Sequence, residues 1–229
     1  MDHALKSNTL IDVILCDDHA LIRRGIRDTL SDAPDIQVVG EVGDYGELRA
    51  LFRSRVGPQT GKTTPCDVLV LDINLPGRSG LDVLHALKDE GSAVKVLVVS
   101  MYPEDQYAIR ALKAGAFGYV NKGGDPQLLV QAVRTVAQGR KYVTPEIAQM
   151  LVDSLTTPST ELAHNKLSDR ELQTLVMIAS GKRLSDIAAE LSLSAKTVSV
   201  YRGRVLEKLR LSNNSELTVY AIRNGLVGQ

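Results

Sequence analysis

Cysteine is scarce: Cys16 and Cys66 are the only two in 229 residues. Two thiols in or beside apolar runs read as buried and reduced, which argues against a disulfide framework and against a metal–thiolate site. Long hydrophobic runs are missing too. No stretch approaches the roughly 18 apolar residues of a membrane span, and Met1 to Asp12 has no basic segment followed by a long apolar core. Neither a membrane helix nor a secretory signal is expected. The four histidines, His3, His19, His85 and His164, show no metal-ligand spacing and receive no role. Repeats and low-complexity tracts are absent. Net charge is zero, but the balance is uneven. From Asn165 to Gln229 ten basic residues face six acidic ones, a net +4, so the remainder carries −4. An acidic front half suits a cation, and a basic back half suits a polyanion.

What is present is an ordinary soluble composition, 44% hydrophobic and 24% charged, over a length that suggests one or two domains. In the front half, short apolar runs alternate with helical patterns. Val13 to Cys16 ends in Asp17-Asp18, and Ile36 to Val42 forms a second run. Val68 to Leu71 ends in Asp72, Val94 to Val99 ends in Ser100, and Gly118 to Asn121 ends in Lys122. Such runs read as buried strands of a parallel sheet, whose ligand chemistry sits at the carboxyl ends of the strands. Three carboxylates, a hydroxyl and an ammonium then gather at one sheet edge. Crowded carboxylates need a cation, and an all-oxygen donor set points to Mg²⁺. That ion needs only one or two carboxylates, so Asp72 stays free to attack phosphorus.

Helices are expected over Ala20 to Leu30, Gly46 to Arg53, Ser79 to Glu90, Glu104 to Ala114 and Pro126 to Gln138. In the first, Leu21, Ile22, Gly25, Ile26 and Leu30 are expected against the sheet. Gly57 to Pro65 reads as a projecting loop. It contains Gly61-Lys62-Thr63, the tail of a phosphate-binding loop, but Val56 stands where the first glycine belongs and no strand precedes it. No nucleotide site is assigned there.

These residues resemble the receiver domain of two-component response regulators. The order Asp17-Asp18, Asp72, Ser100, Lys122 matches the receiver pattern, as do Leu75-Pro76-Gly77 and Gly80. Tyr119 matches the aromatic switch position. The resemblance implies a doubly wound, flavodoxin-like α/β receiver over residues 10–139 with a five-stranded parallel sheet. It implies Mg²⁺ bound directly by Asp18 and Asp72, helped by Asp17, with Asn74 giving its backbone carbonyl. It makes Asp72 the phosphoacceptor, with Lys122 and Ser100 holding the phosphoryl oxygens and Tyr119 as the switch. Gly123 follows Lys122 where many receivers have proline, which puts the cis peptide bond often found there in doubt.

Residues 140–164 read as a linker with a short amphipathic helix, Pro145 to Leu155, followed by Thr156-Thr157-Pro158-Ser159-Thr160. From Leu167 the pattern is wholly helical. Ser168 and Glu171 form a capping-box pattern, and helices are expected to Ser180, over Arg183 to Leu191, from a Ser194 cap to Leu209, and over Asn214 to Arg223. Two helices joined by a short turn, the second rich in Lys, Arg, Ser and Thr, suit the major groove of DNA. Residues 165–229 resemble the LuxR-type helix-turn-helix of NarL/FixJ-class regulators. The match runs through Leu167-Ser168-Asp169-Arg170-Glu171, Ala179-Ser180-Gly181-Lys182, Ile187-Ala188, Leu191-Ser192-Leu193-Ser194, Thr197-Val198, Lys208-Leu209 and Gly225-Leu226.

On the third of these helices Val198, Val205, Leu206 and Leu209 are expected inward. Lys196, Thr197, Ser199, Val200, Arg202, Gly203 and Arg204 are left for DNA. Basic residues there bind phosphate, which gives affinity without sequence, whereas Thr197, Ser199, Val200 and Gly203 line the base-facing stripe. Gly203 departs from the larger polar residue usual in the family. The last helix carries more apolar residues than one buried stripe needs, and Val219 is the first choice for a dimer contact.

The expected function is a transcriptional regulator, not an enzyme, that accepts phosphoryl on Asp72 from a sensor histidine kinase or phosphotransfer protein. It would bind double-stranded promoter DNA as a homodimer formed on phosphorylation, act with RNA polymerase, touch no membrane and reside in the bacterial cytoplasm. Two alternatives stand beside it. A haloacid-dehalogenase-type phosphatase also forms an aspartyl phosphate, but it needs a second Asp two residues on, where this chain has Asn74, and a cap domain that this chain lacks. A regulator whose receiver is never phosphorylated is the other.

Overall fold

The five apolar runs form five parallel strands: β1 (Ile11–Cys16), β2 (Ile36–Val42), β3 (Val68–Asp72), β4 (Lys95–Ser100) and β5 (Gly118–Asn121). The structure is a computed structural model that describes residues 10–58, 61, 63–102, 104–156 and 162–227. Gln59, Thr60 and Lys62 of the expected loop, Pro103 and residues 157–161 lie outside the described residues.

Strand order is β2-β1-β3-β4-β5. The crossovers are α1 (Ala20–Ser31), α2 (Tyr45–Arg55), α3 (Gly80–Asp89) and α4 (Glu104–Ala114), and α5 (Pro126–Ala137) closes the domain. Val13, Leu15, Val68, Val70, Leu97 and Val99 present one sheet face to Leu30 of α1 and to Leu129, Ala132, Val133 and Val136 of α5. Both sheet faces are covered, and for that reason the runs are apolar throughout rather than alternating.

One expected packing face needs correction. In α1 Leu21 is 87% exposed and Gly25 is also on the surface, while Leu30 is buried and Ile22 and Ile26 are partly so. Leu21 and Ile22 are adjacent, 100° apart on the helix, and only the stripe through 22, 26 and 30 meets the sheet.

The chain divides into one compact unit ending at Met150 and a second beginning at Leu151, inside α6 (Pro145–Thr156). The second unit contains a 3₁₀ turn (Ala163–Lys166), α7 (Asp169–Ala179), α8 (Leu184–Glu190), α9 (Ala195–Leu209) and α10 (Asn214–Arg223). Ser168 accepts from the Glu171 N–H while Glu171 accepts from the Ser168 N–H, so the capping box starts α7 as its sequence indicates. Ser192 turns the chain at φ +52, and Ser194 Oγ caps α9 by accepting from the Thr197 N–H at 3.0 Å. Ile187, Leu191, Val198, Val205, Leu209, Leu217 and Ala221 are buried.

Candidate functional site

Chain direction along the sheet reverses at β1: β2 lies on one side of it and β3 on the other. At that switch point the carboxyl ends of β1 and β3 open a crevice. Asp17 and Asp72 stand in it, each 2% exposed. Lys122, from the end of β5, reaches both, with Nζ 2.7 Å from Asp17 Oδ2 and 2.8 Å from Asp72 Oδ2. The Asn74 N–H also donates to the Asp72 carboxylate. Asp18 follows on the rim, its side chain 25% exposed.

The loop after Asp72 is shaped by two glycines. Gly77 takes φ +74, which favours glycine. A Cβ on Gly80 would fall 2.1 Å from the Asp72 carbonyl oxygen, so α3 starts against the β3 backbone only because position 80 has no side chain. The Gly80 N–H donates to the Ile73 carbonyl at 2.8 Å, and the Ser79–Asp82 capping box fixes the helix start.

Burial pushes the Asp72 carboxyl up to about 6, with the negative charge of Asp17 acting in the same direction and Lys122 acting against it. Three carboxylates therefore face one buried ammonium. Asp17, Asp18, His19 and Asp72 each offer a ligand atom, and all four atoms lie within 4.8 Å of one another. The donor chemistry and the excess of negative charge fit a divalent cation.

Ser100, fully buried at the end of β4, accepts from the Tyr102 N–H at 3.1 Å. Tyr119 is fully buried as well, and its hydroxyl donates to the Tyr102 carbonyl at 2.8 Å. Asn121 Nδ2 donates to the same carbonyl at 3.1 Å. Tyr102 itself stacks on Tyr107, with ring centroids 4.7 Å apart. The expected switch residue is thus anchored, through one backbone carbonyl, to the segment that follows Ser100. No peptide bond among the described residues is cis, the one before Gly123 included.

Sequence reasoning gave His19 no role. Its N–H donates to Asp17 Oδ1 at 2.9 Å, and its Nδ1 lies 2.7 Å from Asp18 Oδ1 and 3.7 Å from Asp17 Oδ1. The signal was its place directly after the acidic pair; metal-ligand spacing between histidines was the wrong thing to look for.

In the second unit, α9 exposes Lys196, Ser199, Gly203 and Arg204, and Val200 is 45% exposed. Thr197 is half-buried, its hydroxyl 2.8 Å from that of Ser194. Arg202 is also half-buried, and its Nε donates to Asn214 Oδ1 at the start of α10. That tie was invisible in sequence because the partner lies twelve residues on. A Cβ on Gly203 meets nothing within 4 Å, so the glycine is not required by packing. Lys208 turns away from the others, its Nζ 2.6 Å from Glu171 Oε2. On α10 Leu217 is buried, and the Tyr220 hydroxyl accepts from the His164 N–H at 3.2 Å. Val219 and Ile222 are left 46% and 38% exposed.

Known proteins resemble both units. A family model described as the response regulator receiver domain matches residues 13–134. A second, described as bacterial regulatory proteins of the luxR family, matches residues 165–221. The response regulator GacA of Pseudomonas protegens is 38% identical over 218 residues, which is 95% of this chain and 98% of that protein. Among solved structures, RcsB from Salmonella enterica serovar Typhimurium, bound to promoter rprA in the presence of phosphomimetic BeF3-, is 25% identical with a TM-score of 0.60. That match covers 93% of this chain and 98% of RcsB. Another RcsB structure, described as two dimers bound to two parallel DNAs, has 25% identity and a TM-score of 0.55, with 93% and 98% covered. Among the described residues no helix is long and apolar enough to cross a membrane.

Proposed function

The chain belongs to the response regulators that join a receiver domain to a LuxR-type DNA-binding domain, and from that membership we propose that Asp72 is the phosphoacceptor through which its DNA binding is controlled. The family consists of phosphorylation-dependent transcriptional regulators rather than enzymes, which sets the phosphatase alternative aside. One observation carries the assignment to Asp72. It is the place of Asp72 as the buried carboxylate that ends β3, ahead of the Leu75-Pro76-Gly77 loop and 2.8 Å from the Lys122 ammonium; Asp17 shares the burial and the lysine but not that strand end.

Asp18 and Asp72 with the Asn74 carbonyl would hold Mg²⁺, Asp17 assisting. When bound, the ion neutralises carboxylate and phosphoryl charge and orients the donor. An Asp72 carboxylate oxygen attacks the phosphorus of a phosphohistidine on a sensor kinase or phosphotransfer protein. The P–N bond breaks, its electron pair returns to the imidazole, and an acyl phosphate remains on Asp72. Lys122 Nζ holds a phosphoryl oxygen, and the Ser100 hydroxyl, whose own hydrogen is not used in accepting from the Tyr102 N–H, donates to another as it moves toward the phosphoryl group. Because Tyr102 also receives the Tyr119 hydroxyl, movement of Ser100 is transmitted to Tyr119 and to the surface around α4 and β5.

In the second unit α9 enters the major groove. Lys196 and Arg204 meet phosphates, Thr197, Ser199, Val200 and the open position at Gly203 face base edges, and Arg202 serves phosphate once released from Asn214. Residues 10–139 act as receiver, 140–164 as linker and 165–229 as DNA-binding domain. The protein works in the bacterial cytoplasm beside RNA polymerase as a phosphorylation-stabilised homodimer, with Val219 in the contact. Intact-mass measurement after treatment with a small phosphodonor and Mg²⁺ tests the assignment. The wild type gains one phosphoryl group and Asp72→Asn gains none; an equal gain in the variant overturns it.

A further inference from the structure

We propose that Arg78 recruits small anionic phosphodonors to the acidic crevice, its guanidinium drawing their phosphoryl oxygens toward Asp72. The inference rests on the reading of Asp72 as phosphoacceptor. Arg78 lies in the loop from β3 into α3, between Asp72 and Gly80, and is exposed. Its guanidinium carbon sits 4.9 Å from the centre of the Tyr45 ring at the start of α2. The loop into α2 borders the crevice as the β3–α3 loop does: a Cβ on Gly43, two residues before Tyr45, would come 3.9 Å from Asp18 Cα. Two neighbouring arginines are committed elsewhere. Arg23 meets Glu41 at 3.5 Å and donates to the Asp17 carbonyl, and Arg49, beside the same tyrosine, pairs with Glu90. Among the described residues Arg78 has no carboxylate partner, and the aromatic ring is what holds it. Stacking on a ring places the cation without using its N–H donors, which stay open to a phosphoryl oxygen. The crevice itself sets three carboxylates against one ammonium, so a free anionic donor is repelled as it approaches. A positive charge on the rim lowers that barrier. A protein donor docks through its own surface, whereas a small donor has only its charge, so the small donor depends on Arg78 more.

The test is the initial rate of phosphoryl uptake by the full chain in Mg²⁺, followed by intact mass. The donors are acetyl phosphate, a dianion, and phosphoramidate, a monoanion at neutral pH, both well below saturation. Arg78→Gln is expected to slow uptake from acetyl phosphate by about threefold to tenfold, the effect of one unit charge at a solvent-exposed rim. Uptake from phosphoramidate should slow by less. Arg78→Lys should restore most of the rate, and Arg78→Glu should fall below Arg78→Gln. Raising the salt concentration should shrink the difference between wild type and Arg78→Gln. A purely structural role for the Arg78–Tyr45 stack gives another pattern: Arg78→Lys as slow as Arg78→Gln, both donors slowed equally, and no dependence on salt. That pattern, or a rate that Arg78→Gln leaves unchanged, overturns the inference and leaves Asp72 as phosphoacceptor. Equal uptake by Asp72→Asn, or none by the wild type, removes that reading and the inference with it.

Discussion

A carboxyl buried beside another carboxylate holds its proton more tightly folded than unfolded, and Asp72 is such a group, raised from 3.8 to about 6. The sign of its linkage follows. The stability it contributes is present below about pH 4 and is lost as pH rises through about 6, so at neutral pH the charged group strains the ion-free fold. The cost is on the order of 1–3 kcal/mol. Asp72→Asn keeps the shape without the charge. Its melting temperature in chelator at pH 7.5 should exceed that of the wild type by several degrees, with the gap closing below pH 5. Mg²⁺ should raise the wild type more than the variant. Calorimetric melts across this range check the sign, and a variant less stable than wild type at pH 7.5 contradicts it. The residues of this site were legible because each ends an apolar run, and strand ends in a doubly wound sheet converge. His19 was only partly legible: its place directly after Asp17-Asp18 puts it at the pocket rim, but whether the imidazole bends inward or points to water is decided by the fold.

Among the elements, the loop from β3 into α3 is the most constrained by backbone contact. Gly80→Ala places a methyl carbon where the Asp72 carbonyl stands, at 2.1 Å, so α3 or β3 must shift. A loss of about 1–3 kcal/mol in urea unfolding is expected, with slower phosphoryl acceptance because Asp72 moves too; a variant equal to wild type in both sinks this account of the loop. In α9, Arg204 is exposed whereas Arg202 is tied to Asn214. Arg204→Ala should reduce the slope of log affinity against log salt by about one unit on any DNA, while Ser199 or Val200 substitutions should change the preferred sequence. An unchanged slope removes Arg204 from the phosphate contacts. Element type and order were readable because several helices carry side-chain caps, Ser79, Ser168 and Ser194 among them, and because the strand runs are bounded by polar residues. The inward face of α1 was misread at Leu21, since adjacent leucine and isoleucine both satisfy helical spacing and only the sheet decides between them.

For the whole molecule, the charge division seen in the sequence has a structural counterpart: the acidic crevice lies in the first unit and the exposed basic face of α9 in the second. Coupling between them is expected to run through self-association, because one helix-turn-helix contacts too few base pairs to be selective and a two-fold dimer roughly doubles the recognition energy. Val219 and Ile222 are the exposed apolar residues of α10, since Leu217 and Ala221 fill the core and Tyr220 is tied to His164. Val219→Glu should leave phosphoryl acceptance unchanged and weaken the dimer seen by sedimentation on operator DNA. A dimer of unchanged strength points to another surface. The most direct test of phosphorylation control is selection of fragmented genomic DNA by the protein with and without phosphodonor and Mg²⁺, with Asp72→Asn in parallel. The account predicts that phosphodonor enriches fragments with paired half-sites for the wild type and has no effect on the variant. The same fragments, retained equally by wild type with and without phosphodonor and by Asp72→Asn, would contradict it.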